Sequence, residues 1–363
     1  LITNPKFDYG LRSEFNTWAG TDENGLETAE KSVGVEAVDD YTLKISFKNV
    51  TPVEDWLILH NKYFYVLPEH LLGDIAPEKM KDDEFWKAPI GSGPCTFISE
   101  LSGSQLELGS FADYQLGAPQ FGKLILKVIA STNTITSIAA GEMDGFYQQP
   151  TTDDALAAKD MGLTVTESSE PTFVGVFLIN NQNVSDKRIR QAMSYAIDKD
   201  LLIEQNLQGK GIVPATCVIP GSEYDCGLTW SRDVDKAKEL LAEAGYADGF
   251  DTSICVNDNQ ERTEACQAIQ AMLAEVGINC EVEVMEFGSF IDKTAAGDFD
   301  TAFMGWSTST IDADYTYYSL EHSSQQGPAG NRSFIADPDV DKLVEEGRSN
   351  TDPAAREKIY ADL

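Results

Sequence analysis

The residues best suited to chemistry lie in one run, Phe303-Met304-Gly305-Trp306-Ser307-Thr308-Ser309-Thr310-Ile311-Asp312-Ala313-Asp314-Tyr315-Thr316-Tyr317-Tyr318. An apolar stretch passes here into hydroxyls, two carboxylates and four large aromatic rings. Such a surface can cover an extended polar ligand by stacking and hydrogen bonding together. The same residues suit a structural role equally well, with Asp312 capping a helix and Tyr315 and Tyr318 in the core.

Covalent chemistry finds no comparable support. The three histidines, His60, His70 and His322, are not spaced as metal ligands on one helix face, so no HExxH site exists. Ser92 sits in Gly91-Ser92-Gly93 rather than in G-x-S-x-G, and glycine-rich phosphate loops are missing. Acid pairs such as Asp39-Asp40, Asp82-Asp83 and Asp153-Asp154 are expected by chance among 60 acidic residues and usually mark turns or solvated faces. The six cysteines, at 95, 217, 226, 255, 266 and 280, form no close CxxC pair. No catalytic residue, resident metal or cofactor is therefore expected. Cys217 and Cys226 flank a short loop and suit either a disulfide in an oxidising compartment or two separate buried thiols.

The chain has 363 residues, 42% of them hydrophobic, enough for two or three domains with real cores. Its 27 basic and 60 acidic side chains leave a net charge of −33, which repels phosphate backbones and anionic lipid headgroups and argues against nucleic-acid binding. No apolar run reaches the 18 residues or so that a membrane-spanning helix needs. The sequence starts at Leu1 rather than Met, and the helix signal at Thr351-Asp352-Pro353 runs on to Leu363 without a glycine cap; both ends read as cut.

Around these residues the pattern sets out the elements. Val33 to Phe47 reads as an antiparallel hairpin about Asp39-Asp40. Prolines 52, 68, 77 and 89 break up the helix-like stretches of residues 52 to 88. Cys95 to Leu108 and Lys123 to Ile129 read as strands; residues 131 to 142 read as a helix followed by a short strand. Ser185 to Gln205 reads as one amphipathic helix capped by Ser185 or Asp186, with Lys187, Arg188 and Arg190 crowded at the wrong end for the helix dipole, so that partners elsewhere are expected for them. From Asp233 the texture becomes helix (to Ala244), strand (Phe250 to Val256), helix (Glu261 to Val276), strand (Ile278 to Met285), helix (287 to 296) and strand (Thr301 to Trp306). Such alternation implies a parallel α/β sheet, with ligands gathering at the carboxyl ends of its strands.

In their order and spacing, several motifs resemble those of extracellular solute-binding proteins of peptide-type ABC importers, the family that includes oligopeptide, dipeptide, glutathione and nickel binders. They are Val38-Asp39-Asp40-Tyr41-Thr42-Leu43, Val66-Leu67-Pro68-Glu69-His70, Pro89-Ile90-Gly91-Ser92-Gly93-Pro94 and Gly141-Glu142-Met143-Asp144. Lys187-Arg188-Ile189-Arg190-Gln191-Ala192, Ala237-Lys238-Glu239-Leu240-Leu241-Ala242-Glu243-Ala244-Gly245-Tyr246 and Asn331-Arg332-Ser333-Phe334 with Asp339-Val340-Asp341-Lys342-Leu343 continue the match. The resemblance implies an α/β, two-lobed periplasmic-binding-protein-like fold of type II with an extra small domain and an incomplete first lobe. Residues 1–88 would form the small domain, 89–207 the first lobe and 208–363 the second, with hinge crossovers near Ala88 and Gly209.

Function follows from the same resemblance: a non-enzymatic, monomeric, periplasmic or cell-surface protein, lipid-anchored in some members, that captures peptides or peptide-like solutes and delivers them to ABC transporter permease subunits. The ligand-binding set it implies is Trp306, Ser307, Ser309, Asp312, Asp314, Tyr315 and Arg332. Two departures matter. Cys95 stands where tyrosine is usual, and Ser309 stands where the family places an aspartate for the ligand's amino group, so that Asp312 or Asp314 would have to supply that charge. The loop is similar to that of glutathione-type members. Arg332 is the candidate for a ligand carboxylate, with a structural salt bridge as the alternative. A nickel or metallophore carrier of the same fold and a secreted hydrolase using Ser92 or Cys95 are the competing functions.

Overall fold

The computed structural model describes residues 1–9, 12–28, 34–51, 56–57, 65–129, 133–146, 151–167, 173–214, 216–228, 230–307 and 312–363. They fall into two compact units: Leu1–Val50 with His60–Gln148, and Thr51–Leu59 with Gln149–Leu363.

In the first unit the expected hairpin forms, β1 (Val35–Asp39) pairing antiparallel with β2 (Thr42–Ile45). Asp39 builds the turn by accepting hydrogen bonds from the Tyr41 backbone N–H at 2.8 Å and the Thr42 hydroxyl at 2.9 Å. The proline-rich stretch yields one turn of helix, α1 (Glu69–Leu72), and the 3-10 turns Pro77–Asp82 and Glu84–Lys87. β3 (Cys95–Leu101), β4 (Gln105–Ser110) and β5 (Lys123–Lys127) form an antiparallel meander. α2 (Thr134–Ala139) follows, and the short strand expected after Asp144 falls largely outside the described residues.

The second unit opens with α3 (Thr152–Asp160) and is organised on a four-stranded sheet in the order β6-β9-β7-β8. Here β6 is Phe173–Ile179, β7 Phe250–Asn257, β8 Ile278–Met285 and β9 Thr301–Ser307. β7 is parallel to both β8 and β9, as the alternating pattern implies, and β6 adds an antiparallel edge. On one face, Ile254, Val256 and Ile278 bury against α4 (Lys187–Ala196), α6 (Val234–Glu243) and α7 (Gln260–Ala274). On the other, Leu178, Cys255 and Ala302 pack against Phe290 of α8 (Phe287–Ala296). α9 (Ala313–Glu321), α10 (Pro338–Ser349) and α11 (Pro353–Asp362) close a second cluster around Tyr317, Val344 and Tyr360.

One expectation needs correction. The single helix over 185 to 205 is two: α4 ends at Ile197, whose backbone is extended, and α5 (Lys199–Leu207) starts afresh with Asp198 accepting from the Leu201 N–H. Residues 173–207 cluster with the second unit, where β6 pairs with β9 along seven residues and α4 shares the core of β7 and β8. All six cysteines are free thiols, so of the two readings open for Cys217 and Cys226 the structure has separate thiols. Of the crowded cations the two arginines have partners: Arg188 binds Asp186 and the Glu243 carbonyl, and Arg190 donates to the Val184 and Ser185 carbonyls.

Candidate functional site

β9 outruns its parallel neighbour. It pairs with β7 only at Thr301, Ala302 and Phe303, but with β6 over its whole length, so Gly305–Ser307 and Phe173–Gly175 continue as a two-stranded ribbon. Strand alternation puts Trp306 and its partner Val174 on one face, and Ser307, Gly305 and Phe173 on the other. Trp306 is held in place: its ring stacks on Tyr315 at 5.1 Å between centroids and 29° between planes, and its indole N–H donates to the Thr316 hydroxyl at 3.2 Å. Both rings are half-buried and form an aromatic wall on one face of the ribbon, while Ser307 is exposed on the other. Ser309 lies outside the described residues.

The two acids are engaged in structure. Asp312 is 5% exposed and caps α9 by accepting from the Asp314 N–H at 2.8 Å. Both its oxygens also bind the Arg356 guanidinium, at 2.6 and 2.8 Å, and the Tyr224 hydroxyl approaches at 3.4 Å. Arg356 in turn donates to the Gly347 carbonyl at 3.0 Å, tying α9, α10 and α11 together. Asp314 faces Arg348 at 3.5 Å, and burial pushes its carboxyl above its ordinary value against that attraction. Asp312 therefore serves as the helix cap of the structural alternative. Tyr317, rather than Tyr315 or Tyr318, is the buried ring.

Arg332 stands apart from this wall. It lines a recess of about 290 Å³ against Val176–Ile179, the part of β6 that pairs with Thr301–Met304, whereas Trp306 lies opposite Val174. Burial depresses its pKa, and its Nε has no hydrogen-bond partner among the described residues. Glu321 shares the recess, its carboxyl pushed up to about 7 by burial and drawn back only by the Cys217 thiol, which donates to it at 3.7 Å. The expected set thus divides into an aromatic wall (Trp306, Tyr315), a serine on the ribbon's opposite face (Ser307), two acids held by arginines, and a separate arginine. Among the described residues no group of three or more His, Cys, Asp or Glu side chains is placed to hold a metal ion.

Phe173 and Arg262 went unnoticed in the sequence. Phe173 lies over Gly305, where an added Cβ would meet its ring at 1.8 Å, and the Arg262 guanidinium lies 5.6 Å from the centroid of the same ring. The one signal that pointed to Phe173 was the apolar run Phe173-Val174-Gly175-Val176-Phe177-Leu178-Ile179.

The family model for "Bacterial extracellular solute-binding proteins, family 5 Middle" matches residues 4–328. The oligopeptide-binding protein AppA of Bacillus subtilis is 29% identical over 82% of this chain and 58% of its own length. The glutathione-binding protein GsiB of Pectobacterium atrosepticum is 29% identical over 90% of this chain and 64% of its own. The chain thus spans about three fifths of the curated relatives it matches. The solved structure of Bacillus subtilis AppA in complex with a nonapeptide superposes with a TM-score of 0.74 at 23% identity, covering 99% of this chain and 72% of that one, which shows the shared two-lobed α/β fold. No helix among the described residues is long and apolar enough to cross a membrane. By the match of its family model over most of its length, the chain belongs to the bacterial extracellular solute-binding proteins of family 5.

Proposed function

We propose that this chain is part of the substrate-binding component of an ABC transporter, capturing peptides or peptide-like solutes outside the cytoplasmic membrane for the permease subunits. The observation that carries this reading is the half-buried Trp306–Tyr315 wall at the carboxyl end of β9, where a parallel sheet presents its ligands. Oligopeptide- and glutathione-binding relatives support the solute class. In this reading the protein is a monomer in the periplasm or on the cell surface, with a lipid anchor. It works by capture alone: stacking and backbone-directed hydrogen bonds hold the solute, and a form that binds solute better becomes the populated one. Asp312 and Asp314 position the wall through α9, so the solute's amino group finds its counter-charge elsewhere.

Native mass spectrometry of the full-length protein, purified without unfolding, tests the reading by weighing any solute that stays bound. Incubation with labelled peptides extends the test: stoichiometric retention of intact peptide is expected, and turnover overturns capture in favour of hydrolysis. Replacing Trp306 by Ala is expected to weaken retention at least tenfold.

A further inference from the structure

We propose that Arg262 holds a carboxylate of the bound solute, at the point where the strand order of the second unit's sheet reverses. The inference rests on the solute-capture reading above and names the chemistry that its site accepts.

Topology selects the place. The chain leaves β7 for β8 on one side, then returns to β9 on the other, so the crevice between the carboxyl ends of β7 and β9 is a topological switch point. Asn257 ends β7, is 7% exposed, and accepts at its Oδ1 from Arg262 Nη1 at 2.8 Å. Phe173 supports the guanidinium from the ribbon side, and Gly305 gives that ring its shelf. Asn257 and Phe173 thus fix the guanidinium before any ligand arrives, while its Nε–Nη2 edge, the pair of parallel donors that a carboxylate takes side-on, makes no hydrogen bond among the described residues.

Charge strengthens the case. Of the chain's eight arginines, four pair with an acid among the described residues, and two, Arg12 and Arg190, direct their donors to backbone carbonyls. Arg188, Arg232, Arg348 and Arg356 each pair with an acid. Arg262 is half-buried and, among the described residues, forms no ion pair. Its neighbour Glu261 is turned to the Thr152 backbone N–H, which it accepts at 2.8 Å, and Glu264 accepts from Gln260. Asp258, just past β7, is exposed to solvent. Burial works against the Arg262 charge, and an incoming carboxylate offsets that penalty.

The test uses the full-length protein and a tripeptide library built without acidic side chains, offered with free C-termini and again as C-terminal amides. The wild type is expected to prefer the acids at least tenfold by native mass spectrometry. Arg262→Gln is expected to erase that preference by weakening the acids alone, with the amides and the melting temperature unchanged. Arg262→Lys is expected to restore part of it and decides the question should the glutamine variant not fold. Amides carrying one Glu side chain show whether a side-chain carboxylate also serves, their retention in wild type again depending on Arg262. Equal binding of acids and amides by the wild type, or equal losses of both in the variant, overturns the site alone. Retention of neither library by the wild type overturns the capture reading and this site with it.

Discussion

Asp312 has the residue type of a ligand contact and the surroundings of a structural anchor, and mutation separates the two. Asp312→Ala leaves the Arg356 guanidinium buried without its carboxylate and removes the cap of α9. Breaking a buried pair from one side costs about 3–5 kcal/mol. Urea unfolding is expected to show a loss of that order, and a loss below about 1 kcal/mol would return Asp312 to the list of free carboxylates. Glu321 makes a different statement at the same scale. Its folded-state pKa, raised by burial from 4.5 to about 7, means that the native state binds the proton more tightly than the unfolded chain. Stability from this group is therefore full below pH 4.5, falls as pH rises towards 7, and is constant above. The whole loss is on the order of 3 kcal/mol. Glu321→Gln is expected to gain on the wild type across that window, measured by denaturant unfolding at pH 5 and pH 8; parallel curves would show that the carboxyl titrates normally.

At the scale of elements, the β6–β9 ribbon depends on what Gly305 lacks. Gly305→Ala places a methyl group 1.8 Å from the Phe173 ring, which must swing away because the strand pairing on both sides is continuous. The exposed ring can move at little cost, so stability is expected to change by no more than about 0.5 kcal/mol, with a changed near-UV circular dichroism spectrum; an unchanged spectrum would mean that the ring is not seated there. β7, α7, β8, α8 and β9 were legible in the sequence because periods of 3.6 and 2 alternate between glycine and aspartate stops. β6 was not, since a short run apolar at every position fits a strand buried on both faces and a buried helix equally. Likewise the amphipathic pattern carried straight through Ile197, although the cap that restarts the helix, Asp198, was visible. The aromatic wall was legible as a cluster of residue types. What occupies Asp312 was not, because Arg356 lies 44 residues away and pairs with it only through the packing of α9 against α11. Arg262 stood in no motif, and its role follows from strand order rather than local spacing.

For the whole molecule, the charge of −33 and the Arg262 site pull an anionic solute in opposite senses, and range decides which is felt when. Far from the surface the solute meets the summed field, which repels it; in contact, the guanidinium supported by Asn257 and Phe173 attracts it. Screening acts on the first far more than on the second: the Debye length falls from about 30 Å at 0.01 M to about 8 Å at 0.15 M salt, while a half-buried contact is little affected. The association rate of a net-negative probe such as glutathione is therefore expected to rise with ionic strength, with the dissociation rate nearly constant, when followed by stopped-flow tryptophan fluorescence. A zwitterionic tripeptide, with no net charge, is expected to show little change in either rate. If association of the anion instead slows as salt is added, the field that guides the encounter is positive, and the acidic residues must lie away from the approach to the site.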